Sequence, residues 1–173
     1  MMERLDEAVD HVRGGPQGRL IVEYGDYECP YSRAAFRVET KLGDGVRFAF
    51  RHFPLTEIHP HALAASTAAE AAGLQGRFWE MHELLFRRQK ALEDEDLGGY
   101  AADLGLDVER FEADRAGDGV LARVRRDVDS GLATGEVLGT PTLFIDGTVH
   151  RGPYDAAALL QEVALSPPKS DAE

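Results

Sequence analysis

Cys29 is the only cysteine among 173 residues, and it stands in the run "IVEYGDYECPYSRAAFRVET". The residues before it read as a strand and those after it as a helix. A cysteine at such a junction takes the N-cap position. Pro30 then suits the first helical position, where a missing N–H loses nothing. A thiol is a weak nucleophile near neutral pH, with an ordinary pKa of about 8.5, and the thiolate is the reactive form. The unpaired N–H groups and partial positive charge of a helix N-terminus favour that form. The chemistry on offer is attack on a disulfide sulfur. Ser32 lies one turn on, on the same helical face. Its hydroxyl can donate a hydrogen bond to a thiolate, but it can neither form a disulfide nor release one. Tyr31 lies between the two and is expected to project toward solvent or substrate, offering a ring and a hydroxyl but no fixed charge.

Glu23 is an acid in the middle of an apolar strand, six residues before Cys29. Two placements are open to it, a solvent-facing strand edge or a buried site where desolvation raises its pKa. The six histidines raise the question of a metal, with "HPH" (His59, His61) and "EMHE" (Glu80, His82, Glu83) as the candidates. Neither has the i, i+4 histidine pair of a zinc helix, and no second cysteine assists. They are read as surface positions, and no metal is expected. "DVERFEAD" and "EDED" are read as solvated charge.

The elements that must position Cys29 follow from periodicity. Residues 1–18 read as a short helix and then a Gly/Pro loop. Residues 19–25, "RLIVEYG", read as a buried strand, and residues 30–42 as a helix with Ala34, Ala35, Val38 and Leu42 at roughly helical spacing, ended by Gly43 and Gly45. "VRFAFRHF" alternates Val46, Phe48 and Phe50 with Arg47 and Arg51 and reads as a second strand. From Pro60 to about Thr134 the pattern is helical, with Pro60 at a first helical position and Asp107 as an N-cap. "TLFID" and "TVHR", joined around Gly147, read as a hairpin; "PYDAAALLQEVAL" reads as a last helix and "SPPKSDAE" as a frayed tail. A helix between the first two strands makes them parallel neighbours. The fold class is α/β: one domain, a mixed central sheet with helices on both faces, and an all-helical insertion at about 60–134.

This order resembles the thioredoxin fold with a helical insertion, as in DsbA-like disulfide oxidoreductases. "EYGDYECPYS" looks like the family's strand, loop and C-P-x-C helix start, with Ser32 in place of the second cysteine. "GTPTLFIDG" looks like its cis-proline loop and following strand, at Thr140 and Pro141. "HPHALAASTAAEAA" with "GRFWEMHELLF" looks like the start of its insertion. The resemblance implies that Cys29 is catalytic and that its sulfur sits near Pro141, partly accessible. It also implies that Pro30, Tyr31, Thr140 and Pro141 form the substrate-binding surface. A cis Thr140–Pro141 bond would leave the Thr140 backbone to pair with an extended peptide or a thiol tripeptide. Glu23 matches the place of a buried family acid that accepts a proton through water.

Without a second cysteine, a mixed disulfide on Cys29 must wait for an outside thiol. The resulting expectation is a thiol-disulfide oxidoreductase acting by monothiol exchange. It has no bound cofactor, and glutathione or another low-molecular-weight thiol serves as co-substrate. The partners are thiol- or disulfide-containing proteins or small molecules. Two alternatives stay open. One is an enzyme like the kappa-class glutathione transferases and 2-hydroxychromene-2-carboxylate isomerases, which place serine where Cys29 stands. The other is a redox-silent peptide-binding module using the groove between Tyr31 and Pro141. With 31 acidic against 19 Lys/Arg residues and a formal charge of −12, nucleic acid and anionic membrane surfaces are disfavoured. No apolar run approaches the ~20 residues of a membrane span, and no signal peptide is visible. A cytoplasmic location is expected.

Overall fold

The computed structural model describes residues 1–165. Five strands form one sheet in the order β1-β3-β2-β4-β5. They are β1 (His11–Gly14), β2 (Arg19–Gly25), β3 (Val46–His52), β4 (Thr142–Ile145) and β5 (Thr148–Val149). β2 is central. It runs parallel to β3, as the crossover through α1 (Pro30–Glu39) requires, and antiparallel to β4. β4 turns into β5 at Asp146 and Gly147, both at positive φ. Between β3 and β4 lie five helices: α2 (Ala62–Gly73), α3 (Phe78–Arg87), α4 (Asp94–Asp103), α5 (Val108–Arg115) and α6 (Asp118–Thr134). α7 (Ala156–Leu165) follows the hairpin. The mixed sheet and helical insertion are those read from the sequence.

Alternation along β2 sends Ile21 and Glu23 to one face and Val22 and Tyr24 to the other. On the first face Ile21 packs with Phe48, Phe50, Leu143 and Ile145 of the sheet, Phe36 of α1, Leu159 of α7 and the apolar faces of the insertion. On the second face Val22, Tyr24, Ala49, Phe53 and Phe144 pack with Met2 and Val137. α6 closes this side at short range. A Cβ on Gly131 would lie 3.0–3.1 Å from the rings of Phe53 and Tyr24. The Tyr24 hydroxyl meets Ser130 Oγ at 2.9 Å.

Several boundaries depart from the sequence pattern. Residues 1–18 do not form a helix. Their middle, His11–Gly14, adds a strand antiparallel to the free border of β3. Before it there is only a turn, with Val9 N and Asp10 N bonded to Asp6 O. Pairing with β3 satisfies a row of main-chain groups that a local helix would leave open. Arg51 is the second departure. Its alternation with Phe50 suggests a solvent-facing cation, yet it is fully buried. Asp10 takes Nε and Nη2 at 2.9 Å each, Tyr24 OH takes Nη1 at 2.9 Å, and the carbonyls of Glu3 and Arg4 take further N–H groups. The N-terminal segment and α6 cover this face, so a paired cation stands where an open sheet would show one to water. α1 ends at Glu39 instead of 42, and α2 begins at Ala62, two residues past Pro60. Asp107 does cap α5, accepting from Arg110 N at 3.0 Å. The tail 166–173 lies outside the described residues.

The Asp10–Arg51 pair is a testable element. Burial alone would raise the Asp10 pKa. Hydrogen bonds from Arg51 and from Asp6 N outweigh burial and hold it below the ordinary value. A carboxyl lowered on folding contributes stability above its unfolded pKa, about 3.9, and loses it as pH falls through the folded value. Asp10→Ala leaves a buried guanidinium unpaired, and a loss of about 3–5 kcal/mol is expected in urea unfolding at neutral pH. The gap to the parent should narrow in strong acid. A neutral-pH loss under about 1 kcal/mol would contradict the pairing.

Candidate active site

Cys29 is the N-cap of α1, with extended backbone (φ −74°, ψ 123°), and Pro30 follows inside the first turn. The sulfur donates to the Thr140 carbonyl oxygen at 3.4 Å, and the Thr140–Pro141 peptide bond is cis. Two segments more than a hundred residues apart thus meet at one thiol. The thiol is more enclosed than the expected partial accessibility, at 3% exposure, because Thr140 stands against it. Tyr31 is 75% exposed and Leu138, two residues before Thr140, is 90% exposed. Thr140 Oγ1 is buried without a hydrogen-bond partner, and Pro141 O accepts from Tyr154 OH at 3.4 Å.

Ser32 is fully buried on the inner face of α1. Its Oγ accepts from Asp26 N at 3.2 Å. Among the described residues no hydrogen bond joins it to Cys29 Sγ, so its contact is with the loop before the thiol and not with the thiol. Asp26 is the residue that the sequence reading passes over. Its fully buried carboxylate accepts from Glu28 N, Leu55 N and His59 Nδ1, each at 2.8 Å, and its carbonyl accepts from Cys29 N at 3.1 Å. Glu28 reaches the same neighbouring loop, accepting from His61 N at 2.7 Å. From the end of α3, Gln89 Nε2 donates to the carbonyls of both Tyr27 and Cys29 at 2.8 Å. The loop 26–29 is therefore held from α1, from residues 55–61 and from the insertion. An acid three residues before the cysteine was a usable signal for Asp26. For Gln89 the sequence offers none, since it is one polar residue among several past an amphipathic helix.

Glu23 is buried at 1% exposure on the sheet face toward α1, and its Oε1 has no hydrogen-bond partner. Burial pushes its carboxyl well above the usual range, and the nearby Glu39 and Cys29 add to this. Gly25 makes room for it. A Cβ there would fall 2.4 Å from the Phe50 ring and 2.9 Å from Glu23 Oε1. Of the histidines expected at the surface, His61 stays partly exposed, while His59 is largely covered and His82 is buried. His82 is fully buried on α3, with Nδ1 3.0 Å from Tyr27 OH and Nε2 3.3 Å from Glu39. Burial lowers its pKa. His59 locks the loop through Asp26. The amphipathic face of α3 turns His82 toward the sheet, and partners on distant segments satisfy it. Glu80 and Glu83 remain half-exposed at the helix surface.

The comparisons with known proteins agree with this geometry. The family model described as Thioredoxin matches residues 6–163. The chain belongs to the thioredoxin family, and its fold is that of the DsbA-like oxidoreductases. A solved thioredoxin-like oxidoreductase from Silicibacter pomeroyi DSS-3 superposes with a TM-score of 0.80 at 26% identity, covering 91% of each chain. Oxidised BdbD from Bacillus subtilis superposes with a TM-score of 0.78 at 20% identity, over 94% of this chain and 95% of that one. Among curated proteins, the Na(+)/H(+) antiporter NhaA 1 of Salinispora arenicola (strain CNS-205) is 47% identical over 166 residues, 92% of this chain. The match takes in 25% of that protein, so the chain spans about a quarter of the length of such relatives. Among the described residues no helix is long and apolar enough to cross a membrane.

Glu23 gives a signed pH prediction. A carboxyl whose pKa rises on folding costs nothing below its ordinary value of about 4.3, and the cost grows as pH rises toward the folded pKa. Glu23→Gln should therefore be more stable than the parent in denaturant titrations at pH 8, with the advantage shrinking toward zero near pH 4. Equal stability at both pH values would mean that the carboxyl is not raised.

Proposed function

We propose that this chain is a thiol-disulfide oxidoreductase that works through Cys29 alone, by monothiol exchange with a low-molecular-weight thiol such as glutathione. The observation that carries the reading is the Cys29 sulfur at the start of α1, against the Thr140 carbonyl. In the first step the Cys29 thiolate attacks a substrate mixed disulfide, forming a Cys29–glutathione disulfide and releasing the substrate as a thiolate that takes a proton. In the second step a glutathione thiolate attacks the glutathione sulfur of that adduct. Oxidised glutathione leaves, and Cys29 returns as a thiolate. Ser32 cannot take part in this exchange and holds the loop through Asp26. Glu23, buried and with its carboxyl raised above the usual range, is the proposed acceptor, through water, of the Cys29 proton. Pro30, Tyr31, Thr140 and Pro141 form the proposed rim for a thiol- or disulfide-containing protein or small molecule.

The cytoplasm remains the proposed location. The antiporter names belong to much longer proteins, and we read the matching quarter as their thioredoxin-like portion, not their transport portion. A second reading, a redox-silent peptide-binding module, draws on the 3% exposure of Cys29 beside the open side chains of Tyr31 and Leu138. The kappa-class-like reading is the weaker one, because a cysteine stands where those enzymes use serine.

Two measurements separate these readings. Incubated with oxidised glutathione, the parent should gain one glutathione on Cys29 by intact mass and lose it to reduced glutathione. An inert Cys29 favours the binding module. Ser32→Cys places a second sulfur one turn from the first, where Cα atoms lie within the roughly 7 Å that a disulfide needs. That variant should close an internal disulfide and exchange with a model protein disulfide faster than the parent. A variant with no gain in exchange would rule out a dormant dithiol site.

A further inference from the structure

Between the sheet and the insertion, four side chains from four elements converge. Glu70 of α2 is 6% exposed, and its Oε1 is met by His52 Nε2 of β3 at 2.7 Å and by His11 Nε2 of β1 at 2.8 Å. Asp127 of α6 is fully buried and accepts from the His52 backbone N through Oδ2 at 2.9 Å. One donor atom each from His52, Glu70 and Asp127 lies within 4.8 Å of the others. None of these residues has a part in the thiol chemistry.

The hydrogen bonding leaves one atom unexplained. His52 Nε2 is engaged with Glu70 Oε1, and the ring's other nitrogen, Nδ1, is unmatched. His52 is fully buried, and Nδ1 has no hydrogen-bond partner. An unmet polar atom in such a place is destabilising unless something satisfies it. Burial opposes a charge on Glu70, but the bonds from His11 and His52 outweigh it and hold the carboxyl well below its usual range. The Nε2 atoms of His11 and His52 both lie against Glu70 Oε1, so one ion in place of the hydrogen-bonded protons would find two imidazole nitrogens and a carboxylate oxygen. A route in exists as well. A cavity of about 520 Å³ has His11 and Glu70 in its wall, together with Arg123 and Asp114. Arg123 and Arg126 are nearby cations that oppose a metal ion. Both turn to Asp127 Oδ1, at 2.5 and 3.5 Å, and Arg123 also donates to Val9 O, leaving Oδ2 on the His52 side. The His11 ring is fixed by stacking on Phe78, at 3.5 Å between centroids.

We propose that His52, Glu70 and Asp127, with His11 on the cavity side, bind a divalent transition-metal cation of the zinc class. Imidazole nitrogen with carboxylate oxygen suits that class, and the absence of sulfur from the set disfavours copper(I) and iron–sulfur clusters. Such an ion would clamp β1, β3, α2 and α6 together and make folding stability depend on metal.

Cobalt(II) is the probe. Titrated into the full chain, and into Cys29→Ser, it should bind once per chain and give visible d–d bands with no sulfur charge-transfer band. Zinc should displace it. Glu70→Gln and His11→Ala should each weaken binding at least about tenfold, and zinc should raise the unfolding temperature of the parent more than that of either variant. If Glu70→Gln fails to fold, His11→Ala decides alone, because His11 lies at the cavity wall. Three results would overturn the site. One is no stoichiometric cobalt in the parent. Another is binding that disappears in Cys29→Ser, which assigns the ion to the thiol. The third is binding unchanged in His11→Ala, which assigns it to surface histidines such as His61.

Discussion

A single buried carboxylate, that of Asp26, fixes the geometry around the thiol. It takes hydrogen bonds from its own loop at Glu28 N and from the loop after β3 at Leu55 N and His59 Nδ1, while its amide and carbonyl tie to Ser32 and Cys29. Hydrogen bonds to a charged acceptor are worth roughly 1.5–3 kcal/mol each, more than neutral ones. These hold the chain where a strand must turn at once into a helix. The N-cap position of Cys29, the inward aim of Ser32 and the outward aim of Tyr31 all follow from where Asp26 is pinned.

The insertion is therefore more than an ornament on the sheet. It supplies Gln89 to the carbonyls of Tyr27 and Cys29, and His82 to the Tyr27 hydroxyl. Tyr27 is buried, and burial together with nearby Glu70, Glu39, Glu23 and Asp127 raises its pKa well above the ordinary value. It stays a neutral hydroxyl that can serve as a hydrogen-bond hub. Several titratable groups lie between sheet and insertion. Glu70, His82 and Asp127 are each bonded to a partner on another element, and this fixes how the two parts sit together.

The sequence carried the local features well. The Cys-Pro helix start, the Thr-Pro turn, the alternating strand of β2 and the amphipathic α3 are each encoded within a few neighbouring residues. What it did not carry depends on groups far apart in the chain. Residues 11–14 become a strand because β3 has an open border. Arg51 is buried because Asp10 waits for it, and His82 because Glu39 and Tyr27 do. Propensity speaks for a residue's neighbours in sequence, and these outcomes belong to neighbours in space. Ser32 shows the same limit within one motif. Its spacing from Cys29 suggests a partner for sulfur, while the bend of the loop gives it to a backbone amide.

The two borders of the sheet have a bearing on how copies of this chain meet. β5 is two residues long, and β1 is four, ending at Gly14 with φ of +96°. β1 also carries His11 and Arg13, engaged with Glu70 and with Glu39 and Glu83. A foreign strand seeking to extend the sheet would find few free main-chain groups at either end, and at one end a row of ion pairs to break. Both borders are thereby poorly suited to edge-to-edge stacking of copies.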